Sequence, residues 1–179
     1  MSLVYIGGAT FVDDDPIAKT AEGHQVYAWV EFATAERAYY GLSLHETDYK
    51  SRKIDSIQVG VQTFSEPVGV ASEFEEALDA LERGAKYVFE EYPAVEINSE
   101  ADYKRVLEAQ GLEEDEGDWQ GPGIYDFRDT PPSFIGTTEE YEIEQMKFWA
   151  DSVLDYMFQG DEWKEALAEL LEGYEYVVL

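Results

Sequence analysis

The sequence predicts an α+β fold: one domain over residues 1–179, with a mostly antiparallel sheet of about four to six strands and about four helices. Three observations carry this. Residues 1–64 are strand-rich, with apolar and polar side chains alternating. Residues 65–179 place apolar side chains at helical spacing. The chain then returns to a strand-like run, YEYVVL, over 174–179. Strands followed by helices and a last strand suggest a sheet with its helices on one face. A length of 179 residues with 45% hydrophobic content suffices for one sizeable core.

Residues 3–12 begin as a strand at Val4, Tyr5 and Ile6 and continue through Thr10, Phe11 and Val12. Gly7-Gly8 between them marks a bulge or a bend. Asp13-Asp14-Asp15-Pro16 ends the run, and a loop is expected to about Gly23. Over 25–32, Val26, Ala28, Val30 and Phe32 alternate with Tyr27, Trp29 and Glu31, which predicts a second strand pairing antiparallel with the first. Residues 39–44 and 56–64 are further strands; in the latter, Ile57, Val59 and Val61 alternate with Gln58, Gly60 and Gln62. The intervening 45–55 holds Lys50, Arg52 and Lys53. It reads as a solvated hairpin loop, basic enough to dock on an acidic face of this chain or of a second copy in a homo-oligomer.

The clearest helix covers 72–92. Phe74, Ala77, Leu78, Leu81, Ala85, Val88 and Phe89 form its apolar stripe, and Ser72 with Glu75 makes a capping-box pattern. Glu73, Glu76, Asp79, Glu82 and Glu90 line its other side. A short strand is expected at 95–97 and a helix at 99–110, with Ser99 and Asp102 as a capping pair and Gly111 as the stop. Residues 113–136 lack helical periodicity but carry Trp119, Tyr125, Phe127 and Phe134, so they read as an ordered loop packed on the domain. The longest helix is expected over 138–159, with Ile143, Met146, Ala150, Val153, Leu154 and Met157 inward. Asp161 is placed to cap a last helix, and the final strand is expected to pair centrally in the sheet.

Charge is the dominant feature. Forty acidic residues against 12 basic ones give a formal net charge of −28. It is uneven: residues 34–64 carry four acids and four bases, whereas 65–179 hold 31 acids and 7 bases. Such a surface opposes direct binding to nucleic acid and to anionic membranes. It favours fast, salt-sensitive association with a basic surface. Adaptation to high salt is a rival explanation, and it predicts acid spread over every face.

Catalytic and metal motifs are weak. There is no Cys, which excludes thiolate metal sites and disulfides and favours a cytoplasmic setting. The N-terminal run lacks a basic region and reads as a strand rather than a signal peptide. His24 and His45 are expected at the surface, and His45-Glu46-Thr47-Asp48 lacks the second His of a zinc motif. No nucleophile elbow, phosphate loop or dinucleotide fingerprint occurs. Asp13-Asp14-Asp15 and 113–118 attract cations diffusely but miss the calcium-loop register. No cofactor, metal or catalytic residue is therefore expected.

What remains is the acidic surface. Helical carboxylates three or four residues apart lie about 5–6 Å from one another. That spacing is of the same order as successive phosphates of a nucleic acid strand. The expected partner-binding residues are Glu73, Glu76, Asp79, Glu113, Glu114, Asp115, Glu139 and Glu142, with Trp119 as an aromatic anchor and Tyr125 and Phe127 beside it. The pattern points to a non-enzymatic inhibitor of a basic, nucleic-acid-handling protein, of the anti-restriction or anti-CRISPR type. Two alternatives are an immunity protein neutralising a basic nuclease toxin, and an enzyme or housekeeping domain with halophilic acidity.

Overall fold

The structure is a computed structural model that describes residues 2–84 and 94–179. In chain order the elements are β1 (Leu3–Tyr5), β2 (Thr10–Asp13), β3 (Ala18–Thr20), β4 (Gln25–Thr34), β5 (Arg37–His45), β6 (Lys53–Thr63), α1 (Phe74–Arg83) and β7 (Val95–Ile97). There follow α2 (Glu100–Ala109), a 3₁₀ turn (Glu114–Glu116), β8 (Gly123–Asp126), β9 (Ser133–Gly136), α3 (Thr138–Gln159), α4 (Glu162–Leu170) and β10 (Tyr176–Val178). The fold is α+β, and both its sheets, of seven and three strands, are antiparallel. The strand count exceeds the expected four to six because three-residue strands carry too little periodicity to be recognised. The chain groups into two compact units, residues 1–68 with 144–179, and residues 69–143; the division falls within α3. No described helix is long and apolar enough to cross a membrane.

The first unit is organised by β4. One edge pairs with β5 along nearly its whole length; the other pairs with β2 at Trp29–Glu31 and with β3 at Gln25–Val26. β6 extends the sheet beyond β5. The alternation read from the sequence holds: Val26, Ala28 and Val30 are fully buried and Phe32 nearly so. Helix α3 backs onto this face, where Tyr156 meets Tyr40 and Trp149 meets Phe64. On the opposite face the Trp29 ring lies over Gly41: a Cβ there would sit 2.6 Å from the indole and 2.1 Å from the Ile57 carbonyl oxygen. Gly60 similarly makes room for the Tyr40 ring on the helix side.

Of the two expectations for Gly7-Gly8 the bend is the one found: a hairpin turn, with φ of +118° and +55°, separates β1 from β2. Several other expectations are corrected here. The loop before Gly23 contains β3. The final strand is not central: β10 pairs only with β3, and all three of its residues are exposed, because both edges of β4 are already occupied. Asp161 makes no side-chain cap; its carboxylate accepts from Lys164 instead, at 3.2 Å. His45 is 6% exposed, not a surface residue, since it closes β5 and its ring packs edge-on against Tyr27.

The second unit has its own core. Ala77, Leu78, Ala80 and Leu81 of α1 pack with Tyr103, Val106 and Leu107 of α2 and with Val95, Ile97, Tyr125 and Phe127. The segment expected as one long loop contains β8 and β9, which join β7 in the three-stranded sheet. Ser72 does not cap α1. Its N–H donates to the Ala94 carbonyl and it bridges Val95, so the helix starts one residue later, after Glu73. The remainder of the 72–92 helix expectation, including Ala85, Val88, Phe89 and Glu90, lies outside the described residues. Ser99 does cap α2, accepting from the Asp102 N–H at 3.2 Å.

Candidate functional site

All nine residues expected to bind a partner fall in the 69–143 unit. Glu73, Glu76 and Asp79 stand three residues apart and exposed along the start of α1, flanking the buried Ala77 and Ala80. Glu113, Glu114 and Asp115 open the 3₁₀ turn after α2, and all three are exposed. Glu139 and Glu142 are exposed in the first turns of α3, where the helix dipole favours negative charge.

Helix α2 connects two of these groups. Arg105 reaches α1 and holds the Glu75 carboxylate with two hydrogen bonds, of 2.8 and 3.1 Å, while also bonding Asp102. Lys104 pairs with Glu114 at 3.6 Å. Glu75 is thereby held below the ordinary carboxylate range by its hydrogen bonds to Arg105. The other two described cations of this unit are equally occupied: Arg83 pairs with Asp79 and Arg128 with Asp126. Burial alone would raise the Asp126 carboxyl, but the hydrogen bonds and charge of Arg128 outweigh it and hold it low. The unit as a whole carries 21 acids and 5 bases, a net of −16 over 75 residues. Among the described residues its cations are spent internally, and most of its carboxylates face outward.

Trp119 is half-buried. It stacks flat on Tyr125, with ring centroids 5.6 Å apart, and leans on Tyr103. Tyr125 and Phe127 are buried. The Tyr125 hydroxyl accepts from the Gln120 N–H and donates to the Gly121 carbonyl, and the Tyr103 hydroxyl accepts from the Asp118 N–H. These aromatics fix the acidic loop in place.

Exposed aromatic side chains lie instead on the first unit, and sequence reasoning passed over them. Phe148, Trp149 and Tyr156 of α3 are 63%, 38% and 60% exposed. Their signal was present: none falls on the inward stripe of Ala150, Val153, Leu154 and Met157.

A groove of about 410 Å³ on the sheet face of the first unit is lined by Trp29, Glu31, Ser43, His45, Lys53 and neighbours. Ser43 donates its hydroxyl to His45 Nε2 at 2.9 Å in the tautomer whose Nδ1–H donates to the Ser51 carbonyl at 3.3 Å. A Ser–His bond is the elementary unit of nucleophilic catalysis. Here Ser43 is 3% exposed, so the pair pins the hairpin loop. Trp29 Nε1–H is sealed from solvent and has no hydrogen-bond partner among the described residues; its ring lies over Gly41. Elsewhere, Asp13, Asp14 and Asp15 bring three carboxylate oxygens within 4.8 Å. That closeness follows from a turn in which buried Asp13 accepts from the Asp15 N–H.

Comparison with protein-family models, curated proteins and solved structures found no match for this chain.

Proposed function

We propose that this protein is a non-enzymatic, cytoplasmic inhibitor that binds a basic nucleic-acid-handling protein by presenting carboxylates where that protein expects phosphates. The observation that supports this most is the 69–143 unit: a net of −16, with every described cation already paired to a carboxylate of the same unit. A surface built only for solubility needs neither that density nor that internal neutralisation of its bases. The α1 row and the 3₁₀ turn are held to α2 by Arg105 and Lys104, which makes the array ordered rather than floppy. Binding would release counterions from both partners and so weaken as salt rises.

The test is charge reversal of Glu73, Glu76, Glu113, Asp115, Glu139 and Glu142 together, none of which forms a salt bridge with a described residue. Affinity capture from lysate of the source organism at low salt should return nucleic-acid-binding proteins with the native chain. The reversed chain should lose them. Single reversals should change little, because exposed charges act as a set. Undiminished capture by the sixfold variant would place the interface elsewhere.

A further inference from the structure

An interface needs desolvated anchors as well as charge, and those anchors are mostly Trp, Tyr and Arg. Among the described residues, the 69–143 unit exposes no large aromatic; its exposed large hydrophobics are Val70 and Ile135. The first unit exposes three on one helix. Phe148, Trp149 and Tyr156 lie along the exposed flank of α3, where Trp149 and Tyr156 border a notch of about 100 Å³ with Gln62, Phe64, Ser152 and Val153.

These rings are held, not dangling. Trp149 packs edge-on against Phe64 at 5.3 Å, and Phe64 stacks on Phe32 of the sheet. Phe148 meets Trp149 at 5.8 Å, and Tyr156 meets Tyr40 at 6.5 Å. A ring fixed from behind loses little freedom when its front is covered. Alongside run Glu144, Asp151 and Asp155, all exposed and in no ion pair among the described residues. Glu144 and Asp151 stand four positions before and three after Phe148, and Asp155 lies a further turn along the same side, so the carboxylates border the ridge at the Phe148 ring.

We propose that the Phe148–Trp149–Tyr156 ridge, with Glu144, Asp151 and Asp155 beside it, is a docking surface for arginine side chains of a basic protein. The partner's charge rests on the inhibitor reading above; the ridge adds which cation is preferred. A guanidinium is planar: it stacks on a ring face while its edge donates to a carboxylate. A lysine ammonium pairs with the carboxylate but has no plane to stack. A second copy of this chain is the wrong occupant, because two surfaces of chains each carrying −28 repel. Nucleic acid bases would bring phosphates against the three carboxylates.

The test uses the full chain, an arginine-rich peptide and a lysine-rich peptide of equal length and charge, with calorimetry and tryptophan fluorescence. The arginine peptide should bind on the order of tenfold tighter and change tryptophan emission. Phe148→Ala/Trp149→Ala/Tyr156→Ala should bring that ratio to about one. Asp151→Asn/Asp155→Asn, which keeps shape and packing, should weaken the arginine peptide severalfold with the rings intact. The sixfold charge reversal on the 69–143 unit should weaken both peptides and leave their ratio unchanged. Equal binding of the two peptides by the native chain, or a ratio that survives loss of the rings, overturns the ridge proposal alone. Binding of neither peptide overturns the ridge and the inhibitor reading together.

Discussion

The two units of this chain are held together by different means and present different chemistry. Residues 1–68 with 144–179 rest on a seven-stranded hydrogen-bonded sheet, carry a net of −12 over 104 residues, and expose aromatic rings. Residues 69–143 rest on a core of eleven buried side chains among the described residues, carry −16 over 75, and expose carboxylates but, among the described residues, no large aromatic. Among the described residues, charge density and exposed aromatic rings, which interfaces usually combine, are thus carried by separate units. The lesson is that overall acidity alone is a poor guide to where a contact is made.

The difference in cores sets the largest expected effects. Phe127 is 2% exposed and packs at a right angle against Phe74. Phe127→Ala should cost about 3–5 kcal/mol and strip hydrogen-exchange protection from 69–143 first. Uniform loss across both units would show that they do not unfold as distinct bodies. In the sheet, Gly41→Ala drives a methyl into a backbone oxygen and should cost about 3 kcal/mol by urea denaturation. Gly60→Ala meets the movable Tyr40 ring instead. It should cost about 1 kcal/mol and loosen Tyr156, which rests on that ring.

The units also respond to pH in opposite directions. Burial pushes the Asp13 carboxyl of the first unit above its ordinary value. Its native state holds the proton more tightly than the unfolded chain does, so stability falls as pH rises from the ordinary aspartate value through the raised one. Asp13→Asn keeps the oxygen that accepts from Asp15 and should remove that slope, leaving the variant the more stable form at neutral pH. Asp126 and Glu75 are held low by Arg128 and Arg105. Their contribution is complete above the ordinary carboxylate range and is lost as pH falls through the lowered values. Hydrogen exchange against pH, followed unit by unit, reads both signs at once; an unchanged slope in Asp13→Asn would refute the assignment.

Much of this fold was legible where periodicity was long. The β4 alternation, the Ala150, Val153, Leu154 and Met157 part of the α3 stripe and the Ser99 cap appear as read, whereas Ile143 and Met146 are only half-buried. What escaped was short or dependent on distant partners. Three residues of β3 cannot display a period, and the places open to β10 depended on β2 and β3 having filled one edge of β4. His45 was misjudged because a polar stretch hides a residue whose burial is set by Tyr27 on the neighbouring strand. The acidic residues were visible as a set. That they share one compact unit, tied through Arg105 and Lys104, was not, because ion pairs between elements leave no spacing in the sequence. The stacking of Trp119 on Tyr125 was likewise not legible, because a loop context leaves no periodicity from which a ring contact can be read.

The central claim is that these carboxylates stand in for a nucleic acid backbone. The most direct measurement is elution: proteins captured from lysate on the immobilised chain at low salt are challenged with duplex DNA, and separately with sodium chloride at matched ionic strength. The account predicts that DNA releases the captured proteins where salt alone does not, because the two polyanions compete for one basic surface. Retention of those proteins against DNA, or a captured set without nucleic-acid-binding members, would contradict it.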